Sequence, residues 1–360
     1  MKIEVLVDAP VFWDKLRADI LSAKKSVLVQ AMTFEADTAG LALADTLLAA
    51  KAPERWVMLD CISTYMVSDQ FFYKPRNYKN PDLRAERAAT FQMVRDLNEG
   101  GVRVRWIHPL GPAMVRILAR NHKKIMVIDK HVCYIGGINF SDHNFGWHDM
   151  MLRVESAELA AVLTQDFMQT WDDKPQSVTH RLAEMDLFLC AGRDNPRQFD
   201  ALFELVKFAE REIFIESTYF TTPFFEKLRA VNPDVKITLL TSEINNWSQM
   251  RDYIPWAAAR SNVELRVYPD RLTHLKAMLI DDKFLVVGSS NFEFLSYNLY
   301  HELVAVVKQP ETIAAFREKV MLPDLQISLP YQAPVRPVMG KIRDVQFKAI
   351  GRLSRLWNYF

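Results

Sequence analysis

The feature that most constrains the fold of this chain is an internal repeat. Residues 12–34, FWDKLRADILSAKKSVLVQAMTF, follow the same plan as the stretch that begins at 198 with FDALFELVKFAEREIFIESTYF. In each, apolar residues at helical spacing (Leu16, Ile20 and Ala23; Leu202, Val206 and Ala209) run into an alternating strand (Val27 and Val29; Ile213 and Ile215). Further on, WVMLD at 56–60 matches KITLL at 236–240, and VRVRWI at 102–107 matches VELRVY at 263–268. Strands alternating with helices in each copy predict α/β halves, each a mostly parallel sheet flanked by helices. At 360 residues the chain is too long for one ordinary core, which agrees with two halves. The expected boundaries are 1–175 for the first half, 176–328 for the second, and 329–360 for a proline-containing linker with a basic amphipathic tail.

The spacing between copies drifts. The offset is 186 at the first helix, 180 at the second strand, 161 at the third and 152 beyond it. The first half therefore carries extra residues within 62–101 and 108–121, where strands hand over to loops that commonly shape a site. The first insertion contains Phe71, Phe72, Tyr73, Lys74, Arg76, Tyr78 and Lys79; the second mixes Met114, Val115, Ile117 and Leu118 with Arg116 and Arg120. Two readings stand for these segments: an extra helix packed on the core, or an apolar and basic rim that touches lipid.

At the constant offset of 152 lies a longer motif, H-x-K-x4-D-x6-G-[GS]-x-N-F, present twice. The first copy is His122, Lys124, Asp129, Gly136, Gly137, Asn139 and Phe140; the second is His274, Lys276, Asp281, Gly288, Ser289, Asn291 and Phe292. Alternation along a strand places each histidine and its lysine on one face and aims Asp129 and Asp281 at the other, where they are expected to be structural. Two imidazoles and two ammoniums suit phosphodiester transfer. One neutral histidine attacks phosphorus, while the other, protonated, gives its proton to the leaving alcohol. The lysines hold charge on the phosphoryl oxygens, and Asn139 and Asn291 donate amide hydrogens to the same atoms. The scheme needs no metal or other cofactor, and the sequence shows no carboxylate cluster suited to a cation.

These motifs resemble the phospholipase D superfamily, whose two HKD motifs sit in two similar halves and share one active site. Gly136-Gly137-x-Asn139 and the following Trp147-His148-Asp149 look most like bacterial cardiolipin synthases that lack N-terminal membrane-spanning helices. The resemblance runs from about residue 5 to 325. It implies that Asp149 orients His274 and that Glu302 orients His122, and by the same analogy His122 is the nucleophile and His274 the acid–base. It implies a phosphatidyltransferase that joins two phosphatidylglycerols into cardiolipin and releases glycerol. Hydrolysis of phospholipids and cleavage of DNA phosphodiesters are the alternatives.

Composition narrows the partners. A net charge of +1 gives no global basic field, so nucleic acid is not the expected partner; the resemblance implies a phospholipid and a membrane surface instead. No run approaches 18 apolar residues and the opening MKIEVLVDAP has no signal pattern, which predicts a cytoplasmic, peripherally associated protein. Cys61, Cys133 and Cys190 read as free thiols. In the tail, Ile342, Val345, Ala349, Leu353, Leu356 and Phe360, with Trp357 beside them, fall at helical spacing among Arg336, Lys341, Arg343, Lys348, Arg352 and Arg355. That helix either docks on its own domain or binds anionic membrane. Both motif copies lie in one chain, so a monomer suffices for one site.

Overall fold

The computed structural model describes residues 1–357, apart from the side chains of Ala113, Leu356 and Trp357; the expected contributions of Leu356, Trp357 and Phe360 lie outside it. The chain divides into two compact units, Met1–Gln176 and Ser177–Phe360. The strands of the first are β1 (Lys2–Val7), β2 (Ser26–Ala31), β3 (Glu54–Asp60), a small hairpin β4–β5 (Met66–Val67 and Gln70–Phe71), β6 (Arg103–Ile107), β7 (Ile125–Ile128), β8 (Val132–Gly136) and β9 (Met150–Glu155). Those of the second are β10 (Val178–Arg181), β11 (Met185–Ala191), β12 (Glu212–Ser217), β13 (Lys236–Ser242), β14 (Val263–Tyr268), β15 (Lys276–Ile280), β16 (Phe284–Gly288), β17 (His301–Val307) and β18 (Leu329–Pro330).

Among the described residues the first unit has the sheet order β1-β9-β8-β7-β2-β3-β6 and the second β10-β11-β17-β16-β15-β12-β13-β14-β18. Without its two edge strands, β10 and β18, the second order repeats the first, with β11 in the place of β1. The α/β class and the two-fold repetition stand, but the sheets are mixed rather than mostly parallel. Only β2-β3-β6 and β12-β13-β14 run parallel. The reason lies in the connections. Helices Thr38–Ala49 and Pro81–Glu99 carry the chain across between β2, β3 and β6, whereas each motif strand turns straight back into its neighbour, and a tight turn can only make an antiparallel pair.

That turn is the same in both units. Asp129 and Lys130 both have positive φ (51° and 56°), as do Asp281 and Asp282 (51° and 54°). The backbone N–H of His131 donates to the Ile128 carbonyl at 3.0 Å, and that of Lys283 to Ile280 at 2.8 Å, a type I′ arrangement that follows the twist of a hairpin. Left-handed backbone at non-glycine residues costs about 1–2 kcal/mol each, and the aspartates repay it. The Asp129 carboxylate accepts from the backbone N–H of Lys24, Lys25 and Ser26 at 2.7–3.1 Å. Asp281 does the same to Glu210, Arg211 and Glu212 at 2.6–2.9 Å. The motif aspartates thus lie beyond the strand ends, in the turns, and grip the first residues of β2 and β12. Strand alternation does not decide their direction; the turn does.

In the first unit Phe12, Leu16 and Ile20 of helix Ala9–Ser22 and Leu43 and Leu47 of helix Thr38–Ala49 form one core with Val27, Val29, Val57 and Leu59. Helix Ala157–Trp171, started by Ser156 Oγ accepting from Leu159 N, packs on β2, β7 and β8. In the second unit, residues 329–337 are only partly linker, since Leu329 and Pro330 pair with Val267 and Arg266 of β14. Helix Pro337–Trp357 then docks on its own unit through one narrow face. Phe347 is buried against Trp247, Tyr253 and Phe294, and Gly340 sits so close to Trp256 that a Cβ would lie 2.3 Å from its side chain.

The clamp yields a stability prediction. Burial would raise the Asp129 carboxyl, yet three backbone N–H bonds and the Lys25 ammonium hold it below 3.8 in the fold. Its contribution is therefore present above pH 3.8 and lost as pH falls through the lower folded value. Asp129→Ala should cost about 2–3 kcal/mol in urea unfolding at pH 7, and the deficit should shrink at acid pH.

Candidate active site

In each unit the motif residues gather at the end of the hairpin away from the clamp. The paired part of the first motif strand begins only at Ile125, so His122 and Lys124 lie on the extended segment entering β7 rather than within it. In the second unit Lys276 opens β15 and His274 precedes it. Both histidines and both lysines are buried. The Lys124 ammonium donates to the His122 carbonyl at 2.7 Å, and Lys276 donates likewise to the carbonyl of His274. Each lysine thus curls back toward the backbone of its own histidine, which fixes the charge beside the imidazole. Tyr219 meets the His274 ring edge-on, centroids 6.3 Å apart.

The approach to His122 is built from groups that the motif does not include. Arg120, from the second insertion, for which core packing and a lipid-facing rim were both open, is 1% exposed and pairs with Asp60 at 2.7 Å. The other Asp60 oxygen accepts from Asn121 N at 2.6 Å, and Asn121 Oδ1 accepts from Gln30 Nε2 at 2.8 Å. Lys123 donates to both oxygens of Asp166 on helix Ala157–Trp171 at 2.6 and 2.8 Å. Asp60, at the end of β3, and Asp166 thus hold the residues on either side of His122. The second unit keeps two of these bonds in other residues: Thr273 Oγ1 donates to Glu216 at 2.5 Å, as Gln30 bonds Asn121, and Thr273 N donates to Ser242 Oγ at the end of β13 at 2.8 Å, as Asn121 N bonds Asp60. Sequence reading missed the supports around His122 because their partners lie 43 to 91 residues apart.

Asn139 and Asn291 occupy equivalent turns, each followed by a phenylalanine that bridges to the end of the central strand, Phe140 to Phe34 and Phe292 to Phe220. Their bonds differ. Asn139 Oδ1 accepts from Met32 N and Thr33 N at 3.2 and 3.3 Å, and its amide nitrogen reaches Asn144 at 3.4 Å. Asn291 Oδ1 is buried without a partner among the described residues.

Asp149 and Glu302 lie beside the glycine pair of their own motifs. Both Asp149 carboxylate oxygens would lie 2.4 Å from a Cβ at Gly137, so only glycine leaves them room. At the matching position of the second unit stands Ser289, whose hydroxyl donates to Glu302 Oε2 at 2.5 Å. Glu302 is fully buried, and its other oxygen lies 2.8 Å from Ser296 Oγ. The same hydroxyl lies 3.0 Å from Glu293 Oε1. One hydroxyl has one proton to give, so both contacts are hydrogen bonds only when a carboxyl is protonated. Burial above all, with the Glu302 charge adding to it, pushes the Glu293 carboxyl up to about 7 against the backbone N–H bonds from Leu295 and Ser296. When Glu293 is protonated it can donate to Ser296, which then donates to Glu302; when it is ionised, Ser296 Oγ donates to one of the two carboxylates.

A family model described as cardiolipin synthase, PLD-like domain, matches residues 16–171 and 202–321. The chain belongs to the phospholipase D-like family. Among its relatives, cardiolipin synthase A of Pseudomonas putida is 25% identical over 347 residues, covering 84% of this chain and 64% of that protein. The chain thus spans a little less than two thirds of that relative's length. Cardiolipin synthase of Listeria monocytogenes is 24% identical over 389 aligned positions, covering 99% of this chain and 74% of that one. The phosphatidylserine synthase of Haemophilus influenzae Rd KW20 shares the fold, with a TM-score of 0.71 over 98% of this chain and 94% of that one at 15% identity. The phospholipase D-like motifs are therefore carried on the fold of that family. Among the described residues no helix is long and apolar enough to cross a membrane.

The Glu293 assignment has a pH signature. A carboxyl raised from 4.5 to about 7 binds more protons in the folded than in the unfolded chain across that window. Folding stability therefore falls as pH rises from 4.5 toward 7. Glu293→Gln, which keeps a donor to Ser296, should flatten that slope in denaturant titrations run across the same range.

Proposed function

We propose that this chain is a phosphatidyltransferase that makes cardiolipin from two phosphatidylglycerols through a phosphohistidine. One observation carries the reading: in a phospholipase D-like chain, both motif copies keep their histidine, lysine and asparagine intact and buried, with each lysine bonded to the carbonyl of its own histidine.

The two histidines act as a pair on one phosphodiester. His122 attacks phosphorus, a P–N bond forms, and the bond to the glycerol oxygen breaks as His274 gives that oxygen its proton. His274 then takes the proton of the incoming phosphatidylglycerol hydroxyl. The new P–O bond forms as the P–N bond breaks, which restores both imidazoles. Lys124 and Lys276 balance charge on the non-bridging oxygens, with Asn139 and Asn291 donating to the same atoms. Glu302 orients His122 and Asp149 orients His274, each fixing the tautomer of its imidazole. The step requires no metal or cofactor, since nucleophile, acid and charge are all side chains.

The test is incubation of the full chain with phosphatidylglycerol vesicles and mass spectrometry for cardiolipin, phosphatidic acid and glycerol. Cardiolipin and glycerol should appear together, and His122→Ala or His274→Ala should lower turnover by at least about 10³-fold. Retained turnover in both variants, or plasmid cleavage without lipid turnover, would sink the proposal.

The membrane side of the reading rests on the tail. Helix Pro337–Trp357 docks by Gly340, Phe347, Gly351 and Ser354, which leaves Val338, Ile342, Val345 and Leu353 as an exposed apolar stripe beside exposed Lys341 and Arg352. An apolar stripe flanked by lysine and arginine suits an anionic lipid surface. Val345→Glu with Leu353→Glu should weaken sedimentation with phosphatidylglycerol vesicles while leaving turnover of detergent-dispersed substrate intact.

A further inference from the structure

The fold builds a carboxylate cluster that the sequence does not display. Glu35 and Asp37 follow β2, and Glu86 lies on helix Pro81–Glu99. One carboxylate oxygen from each of the three lies within 4.8 Å of the others. The turn of the β4–β5 hairpin closes over them. Ser68 N donates to Glu35 Oε2 at 3.0 Å, and Ser68 Oγ donates to Glu86 at 2.9 Å. Asp37 caps helix Thr38–Ala49 through Gly40 N and also accepts from the backbone of Asp142. Asp142 in turn accepts from Thr38 N and Ala39 N, so a fourth carboxylate stands beside the three.

Two further observations point to a missing positive charge. Glu35 is 2% exposed, yet its Oε1 has no hydrogen-bond partner among the described residues. No lysine or arginine among those residues pairs with Glu35, Asp37, Glu86 or Asp142. His143 is the near neighbour, its Nδ1 3.9 Å from Glu35 Oε2, beyond hydrogen-bond distance. A buried, unpaired group of carboxylates is costly unless a cation sits among them.

We infer that Glu35, Asp37 and Glu86 bind a calcium ion that ties the β4–β5 hairpin and helix Pro81–Glu99 to the end of β2. Hard carboxylate oxygens select calcium or magnesium over softer metals. The number of carboxylates then favours calcium. Three, with Asp142 beside them, suit an ion that takes about 6–8 oxygen ligands, whereas magnesium usually keeps its waters and uses one or two carboxylates. The ion lies outside the proposed chemistry and serves to order the first insertion, from which Tyr73, Lys74, Arg76, Tyr78 and Lys79 project into solvent.

The competing occupant is a proton. Without a cation, burial first and the Glu86 charge after it push the Glu35 carboxyl up to about 8, and a proton held there would be shared with Glu86. Titration calorimetry and thermal unfolding of the chelator-stripped full chain separate the two. Calcium chloride should bind at one site per chain and raise the melting temperature, with magnesium chloride bound at least about tenfold more weakly. Glu35→Gln and Glu86→Gln should each weaken calcium binding roughly tenfold or more; the half-exposed Glu86 keeps the test open if the first variant fails to fold. No calcium response in the parent, undiminished binding in the folded variants, or magnesium bound as well as calcium would overturn the inference. A parent indifferent to calcium beside a Glu35→Gln variant that melts higher would assign the cluster a shared proton instead.

Discussion

The two motif aspartates carry the architecture of the histidine sites without touching the histidines. Strand β7 pairs with β2 over only four residues, Gln30–Val27 against Ile125–Ile128. A strand so short has little of its own to fix register, and a slip of one residue would turn every side chain to the opposite face. The Asp129 carboxylate, bonded to three successive N–H groups at the start of β2, removes that freedom. Asp281 does so for β15 against β12. With one end of each hairpin pinned, the other end delivers histidine and lysine at a fixed height and direction. The seven-residue interval between histidine and aspartate is the length of that lever.

Much of this was legible in the residues. The repeat gave two α/β units, because helix and strand periods survive even where identities diverge. The residues of each motif copy stay together in their own unit, because their spacing is local and the structure keeps it local. The sheet direction was misread because alternating helix and strand suggests parallel crossovers, while the tight turns at Asp129 and Asp281 contain no glycine to announce them. Their left-handed backbone is held by hydrogen bonds from residues about 70 to 105 positions away. Arg120 was left between two readings for a similar reason. Its position in a loop with Met114 and Val115 suited a helix on the core or a rim, and only the fold brings it to Asp60. The carboxylates of Glu35 and Glu86 are likewise neighbours in space and not in sequence.

The units are copies in path and differ in polarity. Where the first has Gly137, Ser141 and Asn144, the second has Ser289, Glu293 and Ser296. At the positions of Glu293 and Ser296 the first has a hydroxyl and an amide, Asn144 Nδ2 donating to Ser141 Oγ at 2.6 Å. The second links two carboxyls through one hydroxyl. Matching backbone paths therefore carry two different local environments; the proposed reaction, with one attacking and one proton-donating imidazole, would need such a difference.

The bond from each motif lysine to the carbonyl of its own histidine has a thermodynamic consequence. A free lysine side chain carries about 1.5–2 kcal/mol of rotamer entropy, which a ligand would ordinarily forfeit on capture. Lys124 and Lys276 surrender that freedom when the chain folds, because their ammoniums are already tethered and buried. In the proposed reaction an arriving phosphate would meet charges that need neither to be ordered nor to be stripped of bulk water. Anion capture at these positions should then register in a calorimeter as heat, with little loss of entropy from the protein side.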